Sequence, residues 1–222
     1  MTRWIPPLLL VLMNHGCGRA LEGDILVIGD SVFAFHAEDD RGIANVIEDE
    51  LGREVADASV SGAYLTADGD GDDIRAQYED GDWTWLVMDG GGNDVNDECS
   101  CTSCESNIDD LISTDGASGA LPAFAAPILD SGVRIAFMGY YTVPDTAQFG
   151  FHLCNDEITL FRERLVQWAD AEPTVIFVDA AEVMSPDGRE NYAEDNVHPS
   201  VSGSRTLGTH LAEAILDAEA AR

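Results

Sequence analysis

Ile25-Leu26-Val27-Ile28-Gly29-Asp30-Ser31 runs from an unbroken apolar stretch straight into a glycine, a carboxylate and a hydroxyl. A short apolar run of this kind, Ile25 to Gly29, reads as a strand covered on both faces, as in the middle of a parallel sheet. A serine placed where such a strand ends and a helix opens has its backbone N–H free to face a ligand. Two later segments complement it. Gly91-Gly92-Asn93-Asp94 follows another apolar run, and Asp195-Asn196-Val197-His198 lies near the C-terminus. Together they offer a hydroxyl nucleophile, an amide donor, an imidazole base and a carboxylate to orient it, the parts needed for acyl transfer through a covalent ester. Each segment taken alone is as readily a cap or a turn. Their joint occurrence is what points to chemistry.

Outward from this stretch, strands and helices alternate with no break of domain size. Val55–Val60, Trp83–Met88, Val133–Met138 and Thr174–Val178 read as further strands. Ile43–Leu51, stopped by Gly52, carries apolar residues at helical spacing, and Leu121–Leu129 reads as a helix despite its two prolines. Asp72–Tyr78 reads as a short helix, Ile158–Trp168 as an amphipathic one, and Ser202–Ala220 as a closing one capped by Ser200 or Ser202. Strands separated by helices imply βαβ units and an α/β fold with a parallel sheet. Ligands of such sheets bind beyond the carboxyl ends of the strands. Ser31, Gly62 and Asn93 follow the first, second and third strands, so all three are expected at one rim.

The expected roles follow from the side chains. Ser31 is the nucleophile and needs a base to take its proton. His198 is that base; Pro199 after it favours an extended backbone and a loop position. Asp195, three residues earlier on a tight turn, accepts from Nδ1 and leaves Nε2 towards Ser31. Asn93 offers an amide to the developing oxyanion, joined by the backbone N–H groups of Ser31 and Gly62. Asp30 and Asp94 shape the loops through hydrogen bonds. His36, His152 and His210 have no comparable partner nearby in sequence.

At these residues the chain resembles the SGNH hydrolase (GDSL esterase/lipase) superfamily. Gly29-Asp30-Ser31, Gly62, Gly91-Gly92-Asn93-Asp94 and Asp195 to His198 correspond to its four blocks. The resemblance implies a three-layer α/β/α sandwich resembling flavodoxin, hydrolysis of esters or thioesters at Ser31, Asp195 and His198, and no metal or organic cofactor. A carbohydrate O-deacetylase would share this chemistry, with Trp83 or Trp85 as a sugar platform were they exposed. A non-catalytic envelope protein could keep the fold. The Gly-x-Ser-x-Gly elbow of α/β-hydrolases is absent.

Bulk composition narrows the partners. The chain has 222 residues, 45% of them apolar, with 42 acidic against 11 basic residues and a net charge of −31. Apolar content of this order supports a packed core. The acidity argues against nucleic acid or anionic lipid as a partner of the folded domain. A small-molecule ester is the expected substrate, and the oligomeric state is left open.

Residues 1–20 read as an export signal: Arg3, a short apolar run interrupted by Pro6-Pro7, then small residues. Gly18-Arg19-Ala20 suits ordinary cleavage, and Asn14-His15-Gly16-Cys17 resembles in part a lipobox, which would make Cys17 a lipid anchor. Residues 21–222 then form one hydrolase domain that is periplasmic, secreted or anchored in a bacterial envelope. Four cysteines remain, Cys99, Cys101, Cys104 and Cys154. In an oxidising compartment they are expected as two disulfides; in a reducing one the same thiolates would suit zinc. Sequence does not choose among the pairings. Asp68-Gly69-Asp70-Gly71-Asp72 echoes a calcium loop, but Asp73 stands where the loop requires glycine, and the segment reads as an acidic surface loop.

Overall fold

The apolar runs form one parallel sheet. In the computed structural model, which describes residues 21–66, 73–98 and 101–221, the strands are β1 (Ile25–Ile28), β2 (Val55–Asp57), β3 (Trp85–Met88), β4 (Arg134–Gly139) and β5 (Val175–Asp179). They pair in parallel in the order β2-β1-β3-β4-β5. Every residue of β1 and β3 is buried, which is why these segments are apolar without alternation.

Among the described residues, seven helices cover the sheet: α1 (Ser31–Ala34), α2 (Ile43–Leu51), α3 (Gly92–Glu98), α4 (Glu105–Leu111), α5 (Ala120–Asp130), α6 (Asn155–Ala171) and α7 (Val201–Ala220). On one face α2 packs against α7, which reaches β4 and β5. On the other, α5 meets β4, α6 meets β5, and α3 touches both α4 and α6. This is the expected three-layer α/β/α arrangement. The chain moves outward from β1 to β2 and then returns to place β3 on the other side of β1, so the strand order reverses at the β1/β3 boundary. In open α/β sheets that reversal opens the ligand crevice, and here the loops bordering it carry Ser31 and Asn93.

Several boundaries differ from the sequence reading. β2 ends at Asp57 because the Asp57 carboxylate accepts from the Ser59 N–H (2.9 Å) and hydroxyl (2.6 Å) and turns the chain. The expected helix around 72–78 is a single 3-10 turn, Ile74–Gln77, capped by Asp73. Asp73 is buried and accepts from the Arg75 backbone N–H at 2.8 Å, so this cap faces inward. Helices α3 and α4 carry too few apolar residues to be seen by periodicity. Gly52 ends α2 in the left-handed conformation, and Ser200 caps α7 by accepting from Gly203 N–H at 3.1 Å, as anticipated.

Trp83 and Trp85 are both buried, which removes them as a sugar platform. The Trp85 indole donates to Glu219 at 2.9 Å, and the Trp83 indole to the Glu79 carbonyl at 2.8 Å. Cys101 is bonded to Cys154, and Cys104 is also in a disulfide, so these thiols are not zinc ligands. The expected export signal 1–20 with Cys17, the Asp68–Asp72 segment and Cys99 lie outside the described residues. Among the described residues no helix is long and apolar enough to cross a membrane.

Candidate active site

Three segments far apart in sequence meet at the crevice. β1 ends at Ile28, and Asp30 then caps α1: its carboxylate accepts from Val32 N–H at 2.9 Å. The cap takes Val32 and leaves the Ser31 N–H without a protein acceptor among the described residues. The turn before it is held tightly. Gln77 brackets Gly29, accepting from its N–H at 2.7 Å and donating to its carbonyl at 3.0 Å. A Cβ at Gly29 would stand 2.1 Å from the Asp89 carboxylate, so only glycine lets these two loops approach.

His198 comes from a small closed loop. Tyr192 and Pro199 form an antiparallel bridge, with Ala193 N–H donating to the His198 carbonyl at 2.9 Å. Asn196 turns the chain in the left-handed conformation that asparagine tolerates (φ 59°). One carboxylate both builds this turn and orients the ring. Asp195 Oδ1 accepts from the N–H groups of Val197 (2.9 Å) and His198 (3.0 Å), and Oδ2 lies 2.7 Å from His198 Nδ1. The spacing of three residues makes this double use possible. His198 Nε2 lies 2.9 Å from Ser31 Oγ. Partial burial acts to raise the Asp195 pKa, but hydrogen bonds from His198 and the turn outweigh it and hold the carboxyl below its ordinary value.

Phe35, one helical turn beyond Ser31, stacks flat on the His198 ring, with centroids 4.6 Å apart and planes within 2°. Nothing in the sequence singled it out; its spacing of four from Ser31 on a helix is the only available cue. The Tyr141 hydroxyl donates to the Val197 carbonyl at 2.8 Å, and Gln148 N–H to the Asp195 carbonyl at 2.9 Å, so the loop is anchored on both flanks.

Asn93 sits in the first turn of α3 and donates one amide hydrogen to the Ala63 carbonyl at 2.9 Å. The loop that carries Ala63 is tied to the turn before Ser31, since Val60 N–H donates to the Gly29 carbonyl at 3.0 Å. Gly62 therefore lies between the Ser31 and Asn93 segments, in a left-handed conformation (φ 82°) that suits glycine. Asp94 is buried and holds the same loop by accepting from Leu65 and Thr66 N–H, both at 2.9 Å. Asp30 and Asp94 thus shape the loops as expected. Of the other described histidines, His36 packs edge-to-face on Phe35 (centroids 4.8 Å) and His210 approaches Glu182 at 3.7 Å.

Beneath Ser31 is a buried acidic group that sequence reading missed. Asp89 Oδ1 accepts from Asp30 N–H at 2.8 Å, while Oδ2 is buried with no hydrogen-bond partner among the described residues. Burial, then the Asp30 charge, push the Asp89 pKa well up. Burial raises Asp30 as well, against donors from Tyr140 and Val32. Asp89, with the single donor, is the member pushed further towards the neutral form.

Solved structures with the same architecture include a candidate platelet activating factor from Streptococcus pneumonia (TM-score 0.63, 16% identity, covering 89% of this chain and 86% of that one). A carbohydrate acetylesterase from Sinorhizobium meliloti (0.62, 12%, 87% and 98%) and an aryl esterase from M. smegmatis (0.56, 19%, 87% and 98%) are also similar. At these identities the likeness is one of fold. No functionally curated protein matches the chain. The model of the GDSL-like lipase/acylhydrolase family matches residues 27–206, a span that holds every segment of the crevice, and the chain belongs to that family.

Proposed function

We propose that the protein is an exported serine hydrolase that cleaves carboxylic esters or thioesters through an acyl-enzyme. The observation that carries this is the unbroken relay from Asp195 through His198 to Ser31, at 2.7 and 2.9 Å. In the first half-reaction Ser31 Oγ attacks the acyl carbonyl and His198 Nε2 takes its proton. Asp195 keeps the imidazole in the Nδ1–H tautomer and stabilises the imidazolium. The oxyanion is received by the backbone N–H groups of Ser31 and Gly62 and by the remaining amide hydrogen of Asn93. Collapse breaks the ester bond, and His198 returns the proton to the departing oxygen or sulfur. Water, deprotonated by His198, then attacks the acyl-serine and releases the carboxylic acid, restoring the Ser31 hydroxyl.

Each oxyanion donor of this kind is worth about 3 kcal/mol of barrier. No step calls for a cofactor. Export is supported by the disulfides, which persist outside the reducing cytosol, and by the signal-like residues 1–20, with a lipid anchor at Cys17 as one form of it. The strongly acidic composition supports a small-molecule substrate rather than a nucleic acid.

The test is hydrolysis of p-nitrophenyl acetate and butyrate. Ser31→Ala should lower turnover by about 10⁴-fold or more, and a fluorophosphonate should label Ser31 in the wild type. Absence of both turnover and labelling would leave a non-catalytic protein that retains the fold.

A further inference from the structure

Beside Ser31 lies a cavity of about 30 Å³, walled chiefly by Tyr140, Tyr141, Val143, Phe151, Ile158 and Val197. On this measure one water needs roughly 10–15 Å³, so the space takes about two water-sized groups. The polar groups of Tyr140, Tyr141 and Asn155 in its wall are engaged elsewhere. The Tyr140 hydroxyl donates to Asp30, and that of Tyr141 to the Val197 carbonyl. The Asn155 amide brackets the backbone of Val143, accepting from its N–H at 2.9 Å and donating to its carbonyl at 3.0 Å. The wall is therefore largely apolar, and these bonds fix its shape.

The residues around the cavity also say which half of an ester enters it. Asn93 and Ser31 line it, whereas His198 and Phe35 do not. The leaving oxygen must reach His198 to be protonated, so the leaving group lies on the imidazole side. The retained acyl tail points the other way, into this cavity.

Phe151 is the one aromatic wall residue that is only half-buried; Tyr140 and Tyr141 are buried. It sits on the segment Gln148–Cys154, which is tied at both ends. At the first end Gln148 N–H bonds the Asp195 carbonyl, and at the second Cys154 is joined to Cys101. Phe149 and Leu153 of the same segment face solvent, at 66% and 63% exposure, so Phe151 is the residue it turns inward beside the nucleophile.

We propose that the protein is selective for short acyl groups, acetyl to butyryl, and that Phe151, on its disulfide-tied segment, is the wall that sets the limit. This rests on the serine-hydrolase reading above. An acetyl methyl fits the cavity, the first two carbons of a butyryl tail fill it with the terminal methyl at its mouth, and a longer chain must displace the wall. The leaving-group side carries no such limit.

The experiment compares kcat/KM for the p-nitrophenyl acetate, butyrate and octanoate esters with oxidised full-length protein. Acetate or butyrate should exceed octanoate by about tenfold or more, the scale on which an apolar pocket discriminates by size. Phe151→Ala should raise the octanoate-to-acetate ratio by about tenfold, and Phe151→Trp should lower the butyrate-to-acetate ratio by about threefold or more. A smaller wild-type preference, or ratios that neither variant moves, would overturn the proposal. Loss of turnover on every ester, with no fluorophosphonate labelling of Ser31, is a different result: it refutes the hydrolase reading and this inference with it.

Discussion

Asp195 and Asp89 reach Ser31 by opposite routes. Asp195 acts on the hydroxyl through an imidazole; Asp89 acts on the backbone through the N–H of the preceding residue. The first is partly exposed and receives three hydrogen bonds, which hold it ionised. The second is buried, receives one, and faces another carboxylate. One chemical group is thus drawn towards the anion in one place and towards the neutral acid in the other. What decides is the number of donors and the access to water. The charged carboxylate can stabilise an imidazolium. The one pushed towards neutrality can brace the tight turn beside Ser31 while adding little negative charge there.

The sharpest way to break this contrast is to neutralise each carboxyl in turn. Asp195→Asn keeps the shape but offers an amide where an acceptor is required. The ring tautomer then loses its determinant, and kcat on a short ester should fall by about 10³- to 10⁴-fold. Asp89→Asn is not in contact with the relay and should fall far less. Comparable losses in the two variants would mean that Asp89 is charged and electrostatically part of the relay.

The second difference appears in stability. The folded-state pKa of Asp89 is raised above its unfolded value, so its contribution is fully present below about pH 4 and is lost as pH rises through the raised pKa. Above pH 4 the unfolded chain releases that proton while the folded one keeps it. Melting temperatures of wild type and Asp89→Asn should therefore diverge with rising pH, in favour of the asparagine variant, whatever their offset in acid. Asp195 has the opposite sign: its contribution is present at neutral pH and is lost as pH falls through its lowered pKa. Parallel melting curves for wild type and Asp89→Asn from pH 4 to 8 would remove the protonated Asp89 from the account.

The contrast also marks what could be read in advance. Asp195 and His198 are three residues apart, and a turn of that length is a local event, so their pairing was legible. Ile25–Ile28 and Trp85–Met88 were legible as strands because burial on both faces excludes polar residues from them. Asp89 was not. It stands beside glycines and reads as part of a turn, and its burial follows from the neighbouring β1 loop closing over it. Trp83 and Trp85 were open to two readings until their indoles found Glu79 and Glu219, the latter distant in sequence. Likewise Cys101 could have met any of three partners. Contacts made by chain topology leave little trace in local pattern, whereas turns and buried strands do.

Phe35 tests the finest part of the comparison, whether the relay is held by its carboxylate alone. Its ring lies flat on His198, one helical turn from Ser31, so α1 supplies both the Ser31 hydroxyl and a surface for the imidazole. Asp195 fixes the imidazole at one edge but leaves it free to rock about the Nδ1 contact; a flat aromatic face restrains that rocking. Aromatic pairs of this kind contribute about 0.5–1.5 kcal/mol. Phe35→Ala should lower kcat by about 2- to 10-fold, and Phe35→Leu, which restores bulk without a flat face, should recover only part of it. A kcat unchanged in Phe35→Ala would leave the Asp195 turn as the sole restraint on the ring. A loss as large as that of Asp195→Asn would make the stack, rather than the carboxylate, the element that keeps Nε2 on Ser31.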